Sequence, residues 1–496
     1  MVLDRRSFLR VAALTASALS AASCSPNFRI TNDAGAQIEG VRALSTQDRR
    51  VLDRLCYGVS LFEAERVAEI GLSGWIEEQL SRETIPEVQL RTRMRNLVVL
   101  EKNADAIEGA HKKAEAIEQL RKGTLIRQIY SRRQIYEMMV EFWNDHFNIS
   151  VDKGFGWALK VVDDREVIRK HAFDSFHDLL SASAHSPAML VYLDNQANDK
   201  RAPNENYARE LLELHTLGID GGYTQDDIVD LARCLTGWSV KEHFWRGQFR
   251  FDGDRHDSGI KNVLGMRIQP TGEREVEQIL SRLSGDPETA RRISVKMVRR
   301  FLCDDPERES PQWVHRLVQV YKVTRGNINA MLRKLLLDGI ARDTSLLKMK
   351  YKRPVDFIVS SLRIVGAETD AGLVLQRFLT RMGQPTFAWP MPDGPPDKAN
   401  KWNSNLAPRW EFSFQLMAGL IDGTNPGSLV PNLISDRGSP EEFLSAASLY
   451  LLGRQFPGPV GADLTGELGD LIDMEHGAQL DAVIAGLLAA PQFQFR

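Results

Sequence analysis

Two histidines carry the clearest chemical signal in this chain. Between Gln134 and Asn148, at about 100° per residue, Ile135, Met139, Phe142, Trp143 and Phe147 share one broad apolar helix face, and His146 falls in its middle. A second helix is predicted from about Asn206 to Leu217, with Tyr207, Leu211 and Leu214 on its apolar face and His215 beside them. An imidazole drawn into such a face has its pKa moved by its surroundings and can act as general base or metal ligand near neutral pH. The bland alternative is a core histidine satisfied by a backbone carbonyl. Two such histidines on two helices are expected to meet where the helices pack.

Carboxylates accompany both histidines. Glu137, Glu141, Asn144 and Asp145 fall opposite His146, on what reads as a solvated surface. Glu141 and Asp145, four apart, have the spacing to share a divalent metal. Glu210 and Glu213 project with Asn206 from a side of the second helix well away from His215, so one helix cannot supply a Glu/Glu/His ligand set. Between the helices, Asp194, Gln196, Asn198 and Glu205 stand first, third, fifth and twelfth, the oxygen-ligand spacing of a calcium loop. Against that, Asp199 replaces the glycine of the sharp turn, Pro203 stiffens the exit, and Lys200 and Arg201 offset the charge; the competing expectation is an Asx-rich turn capping the next helix. His256 and Asp257, before Ser258-Gly259, could present an imidazole and a carboxylate to the same cleft. No Gly-rich phosphate loop, Gly-x-Ser-x-Gly elbow, His-Glu-x-x-His helix or Cys-x-x-Cys pair occurs.

Helices must position these groups. Ser45 with Asp48, Thr224 with Asp227, and Ser439-Pro440-Glu441-Glu442 read as helix starts, each followed by apolar residues at helical spacing. The expected fold is mainly α, a multi-helical globular fold with one small β-hairpin and an ordered Pro-rich loop. The hairpin is placed at His243 to Phe251, where Phe249 and Phe251 alternate. The loop is Gly383 to Pro408, whose six prolines exclude helix and whose Trp389 and Trp402 either wall a cleft or strap the core. With 43% hydrophobic and 26% charged residues, the chain has the balance of a protein that buries a sizeable core.

The first residues read as an address. Arg5 and Arg6 precede an apolar run from Val11 to Leu19 and the small residues Ala21, Ala22 and Ser23 before Cys24. Residues 1–23 are therefore predicted to be a signal peptide, and Asp4-Arg5-Arg6-Ser7-Phe8-Leu9-Arg10 resembles the twin-arginine signal for export of folded cargo. The run is far shorter than the roughly 20 residues that span a bilayer. Cys24 stands where a lipoprotein carries its acylated cysteine, so membrane contact is expected only through a lipid there. Residues 24–44 read as a polar tether and 45–496 as the helical domain, with room for subdivision. Losing residues 1–23, with Asp4 and three arginines, moves the formal charge from −3 to −5, which argues against a nucleic-acid partner. Cys56, Cys234 and Cys303 would remain, allowing at most one internal disulfide.

The run Asn204-Glu205-Asn206-Tyr207-Ala208-Arg209-Glu210-Leu211-Leu212-Glu213-Leu214-His215-Thr216-Leu217-Gly218, continued by Gly221-Gly222-Tyr223-Thr224 and Leu235-Thr236-Gly237-Trp238, resembles a large bacterial family, the domain-of-unknown-function family numbered 1800. Glu141 to Phe147, His256 to Lys261 and Met382 to Pro385 extend the resemblance over nearly all of the chain. It implies an exported, largely helical protein but carries no activity to transfer. The genes of such proteins tend to lie beside those of an exported sulfatase-like family, an association and not a mechanism.

Two expectations result. The first is a periplasmic or envelope enzyme, hydrolase-like and metal-dependent, acting on a carbohydrate or sulfated polymer, with His146, His215, Glu210, Glu213, His256 and Asp257 around one cleft. The second is a non-catalytic helical scaffold for the sulfatase-like protein, its polar motifs serving as caps and turns.

Overall fold

In the computed structural model, residues 44–154, 156–241, 247–427, 440–453 and 477–496 are described. The signal segment, Cys24 and His243 lie outside them. Helix starts follow local chemistry. Ser45 Oγ accepts the Asp48 amide ahead of the helix Thr46–Leu55, and Thr224 and Asp227 form a capping box ahead of Gln225–Cys234. The result is a mainly α-helical protein, and no described helix is long and apolar enough to cross a membrane.

Strands are few and short. Phe249–Phe251 pairs antiparallel with Trp238–Val240, so the expected strand exists. Two further antiparallel pairs, Lys261–Val263 with Met266–Ile268 and Glu368–Thr369 with Thr424–Asn425, correct the expectation of a single hairpin. Segments of two or three residues are too short to show a period of two. The turn between Val263 and Met266 also places Leu264 and Gly265 at φ 52° and 73°, where Asn-Gly is the usual signal.

The helices gather into two compact units. One comprises the described residues up to Trp75 with Met349–Gln384 and Lys398–Arg496. Its helix Pro354–Ile364 is buried along its whole length, Phe357 meets Phe412 edge to face at 5.8 Å, and Ala407–Met417 packs on Gly477–Ala489. Gly58 (φ 149°) lies against Ser360, where a Cβ would come within 2.8 Å of the backbone. That close approach lets the Gly58 carbonyl accept from Arg363 Nε at 3.0 Å, while Arg363 Nη2 pairs with Glu63 at 2.7 Å.

The other unit comprises Ile76–Lys348 and Pro385–Asp397, and its centre is the helix Gln134–His146. The face expected to be solvated is not: Glu137, Glu141 and Asn144 are buried with the apolar side chains. Charge there survives only by pairing. Arg169 grips both oxygens of Glu137 at 2.9 and 3.0 Å and bonds Asp164 at 2.9 Å. A π-helical turn over Asp164–Arg169 stacks those two residues, five apart. The chain continues through Asn144, which donates to Asp164 at 2.9 Å and accepts from Lys160 at 2.8 Å, to Asp163 and Ser186. Glu141 pairs with Arg300 at 2.9 Å. These groups sit on different helices, so the network fixes how they pack.

The Pro-rich loop is ordered, as expected. Its Pro385–Asp397 part is tied down at its carbonyls: Thr386 by Arg121, Phe387 by the Val151 amide, Pro390 by the Tyr192 hydroxyl, and Trp389 and Met391 by Asn148. Gly394 (φ 74°) is pressed on the Asp145 carbonyl, where any Cβ would collide. Trp402, in the other unit, is buried; Trp389 is partly exposed.

Removing one member of a buried ion pair leaves its partner uncompensated, at a cost of about 3–5 kcal/mol. Arg169→Met is expected to destabilise the protein by that amount in urea unfolding. An unchanged midpoint would mean that the network contributes no net stability.

Candidate functional site

The two helix-borne histidines meet. The second helix runs as Glu205–Glu210 and then, in place of regular α-helix to Leu217, as a π-helical turn over Leu211–His215. Thr216 leaves helical geometry at φ −132°, ψ −90°, and its hydroxyl donates five residues back to the Leu211 carbonyl at 2.6 Å. The His215 carbonyl is thereby turned towards the first helix. His146 Nε2 lies 3.1 Å from it, and the two rings are 6.1 Å apart, centre to centre. Phe147 and Phe176 enclose the His146 ring, and Phe147 and Tyr207 flank His215.

Lys296, from the helix Pro287–Phe301, completes the constellation. Its Nζ is 2.8 Å from His146 Nδ1. A carbonyl can only accept, so Nε2 carries the hydrogen given to the His215 carbonyl, and in the neutral ring Nδ1 accepts from Lys296. His146 is fixed as one neutral tautomer. Burial, with Lys296 next, holds its pKa well below the ordinary imidazole value, and the same causes take His215 down to about 3. Lys296 itself is lowered to about 7, first by burial and then by Arg292 on its own helix, with Arg299 adding to the effect while Asp145 and Asp393 oppose it.

Further out the sign of the shifts reverses. Glu210 is raised by burial, then by Glu213 and by Asp393 of the Pro-rich loop. Tyr192 is pushed up to about 12 by burial, Glu210 and Asp393. Asp393 is exposed, and Lys296, Glu210 and Asp145 are partly exposed, so the outer end of the site meets solvent while the imidazoles lie inside. The fold thus holds an amine towards neutrality and a carboxyl towards protonation around one loop carboxylate.

Other candidate residues serve elsewhere. His256 is buried with Nδ1 at 2.8 Å from the Thr236 carbonyl and Nε2 at 3.0 Å from Glu275, which also binds Lys261 at 2.7 Å. Asp257 is held below the usual carboxylate range by its hydrogen bond from Arg233. All of these partners differ from those of His146, so the six expected catalytic residues do not share one cluster. The calcium-loop spacing gives no ligand shell: Asp194 (φ 62°) pairs with Lys153, and the Asn198 amide is spent on Asn195 and Ala232. Glu205 binds Arg209 and Gln225. The segment instead caps the next helix, Asn204 accepting the Asn206 amide. Glu141 is taken by Arg300, so it does not share a metal with Asp145. Among the described residues no three His, Cys, Asp or Glu side chains are placed to hold a metal ion, and Cys56, Cys234 and Cys303 are buried.

Lys296, Asp393, Tyr192 and Arg292 were not legible as site residues. Lys296 is one of several basic residues on an amphipathic helix, and only its meeting with His146 distinguishes it. Asp393 offered a faint signal, an acidic residue before Gly394 in a loop too rich in proline to be filler.

A family model described as a protein of unknown function, DUF1800, matches residues 50–495. No curated protein and no solved structure matches the chain.

As pH falls below the ordinary imidazole value of 6.5, His215 takes up a proton in the unfolded chain but not in the folded one until about 3. The unfolded state binds more protons in that window, so stability falls as pH falls through it. A His215→Phe variant is expected to show a shallower loss of Tm between about pH 6.5 and pH 4. Equal slopes would show that His215 is not held neutral.

Proposed function

The chain belongs to this family of unknown function, and from the contact of Lys296 with His146 we propose that it is an exported, hydrolase-like envelope enzyme working by general acid–base catalysis. The single observation behind this reading is the 2.8 Å Lys296–His146 hydrogen bond, which joins a lysine with a pKa near 7 to a buried neutral imidazole. A neutral Lys296 still gives one N–H to His146 Nδ1 and keeps a lone pair for a water or a substrate hydroxyl. His146 is a positioning residue, since both its ring nitrogens are committed within the protein. Glu210, whose raised pKa keeps it protonated at higher pH than usual, supplies the proton to the leaving oxygen. Environments that push two titratable groups in opposite directions are how a site divides the roles of base and acid.

No step here is routed through a metal, because His146 has no lone pair to offer one while Lys296 donates to it. The paired arginines of the leader support export by the twin-arginine route, and a carbohydrate or sulfated polymer is the substrate class we propose. Burial also lowers Lys352 to about 7, so what sets Lys296 apart is its hydrogen bond to His146, for which a scaffold role beside a sulfatase-like partner gives no reason.

Reductive methylation with 13C-formaldehyde, followed by NMR titration, is expected to reveal two lysines titrating near 7, Lys296 and Lys352, of which the first alone is absent in Lys296→Met. Against a panel of sulfated and unsulfated polysaccharides assayed by new reducing ends, Lys296→Met should lower kcat by roughly 10²–10⁴-fold. The wild-type rate should rise with pH through about 7 as Lys296 loses its proton, and Lys296→Met should lack that limb. An ordinary lysine titration, or full activity of Lys296→Met, would remove the basis of the reading.

A further inference from the structure

Three buried nitrogen atoms of this site have no hydrogen-bond partner among the described residues: Nδ1 and Nε2 of His215 and Nε of Arg292. His215 is 1% exposed, so solvent does not serve it. Arg292 is anchored at one end only, its Nη2 donating to the Leu214 carbonyl at 3.1 Å. Gly218, at φ 94°, makes room for this guanidinium: a Cβ there would stand 3.1 Å from Nη1. One ring nitrogen of a neutral His215 is an N–H donor, and Arg292 Nε is always one. Buried donors are nearly always matched, and an unmatched set in a site asks what matches it.

The charge around these donors has one sign. Among the described residues, Lys296 and Arg292 are the charged groups that act on His215, and no carboxylate acts on it. Asp145 and Asp393 act on Lys296, opposed by Arg292 and Arg299. A cation or a metal would meet repulsion beside His215, whereas an anion would find three donors.

We propose that His215, Arg292 and Lys296 form a subsite for an oxyanion, a sulfate, phosphate or carboxylate group carried by the substrate. The subsite rests on the acid–base reading of the same site, because it supplies that reading with a substrate class. The oxyanion accepts from Arg292 Nε, from the free N–H of His215 and from an N–H of Lys296, which even the neutral amine has to spare beside the one given to His146. Its charge favours the protonated amine, so binding weakens as pH rises through about 7. Asp145 and Asp393 face the same amine and compete for it, and His146 keeps its bond to Lys296 in either state.

The test is calorimetric titration of the full chain with sodium sulfate, sodium phosphate, glucuronate and glucose 6-sulfate, each against sodium chloride at equal ionic strength, at about pH 6 and pH 8.5. Saturable binding, stronger at the lower pH and about tenfold weaker in Arg292→Lys, which lacks the Nε–H, is the expected result. Gly218→Ala, which pushes on the same guanidinium, should weaken it likewise, and circular dichroism confirms that each variant folds. Tighter binding of the sugar ester than of free sulfate marks a substrate group; the reverse order marks a site for the inorganic ion and overturns the assignment to substrate. Absence of saturable binding, or undiminished affinity in both variants, overturns the subsite. If Lys296 still titrates near 7 while no anion binds, the subsite has failed and the acid–base reading has not.

Discussion

A helix surrounded by protein on nearly every side can keep charged residues only if each finds its counter-charge inside. The helix Gln134–His146 meets that constraint with Glu137 held by Arg169, Glu141 by Arg300, and Asn144 between Asp164 and Lys160. Transfer of such groups from water costs several kcal/mol each, so the pairs act less as a source of stability than as a condition on how helices may assemble. An arrangement that broke one pair would strand a charge. The network therefore selects the packing that also brings His146 to its place at the helix end.

The site inherits its chemistry from that packing. His146 occupies the last turn of the buried helix, where the protein has excluded water, so its ring stays neutral and its two nitrogens are assigned by their neighbours. The π-helical turn of the second helix supplies the carbonyl that fixes one nitrogen, and such turns are a common way for a helix to give up regular bonding at a working position. Lys296 enters from a third helix, and the Pro-rich loop, tied down through its carbonyls, brings Asp393 to face it. Low polarity inside and carboxylates at the rim then shift an amine and a carboxyl in opposite directions within one small region.

Much of this was legible. The apolar faces that hold His146 and His215 follow from helical spacing, and the prediction that the two histidines meet where the helices pack needed only that both faces be buried. The caps at Ser45 and Thr224 were legible for the same local reason. The solvated face of the first helix was misjudged because amphipathicity tells which side is apolar, not whether the polar side is covered too. The π turn over Leu211–His215 was not legible either, since uniform helical spacing carries no sign of the extra residue that rotates every later side chain. The Asp194 to Glu205 spacing resembled a calcium loop, but backbone and side-chain bonds to Lys153, Ala232 and Gln225 claimed its polar groups first.

By itself the sequence determined the helical class, the helix starts and the two buried imidazoles, because caps and periodicity act over a few residues and need no partner. It also determined family membership, through long runs of matching residues. Only the tertiary structure decided that Lys296, Arg292 and Asp393 belong with those imidazoles and that His256 and Asp257 do not. The difference is one of range: a pKa, a tautomer or an orphaned donor depends on groups 100 or more residues away in the chain, as Lys296 is from His146. No local pattern encodes which of many similar side chains will be brought into contact.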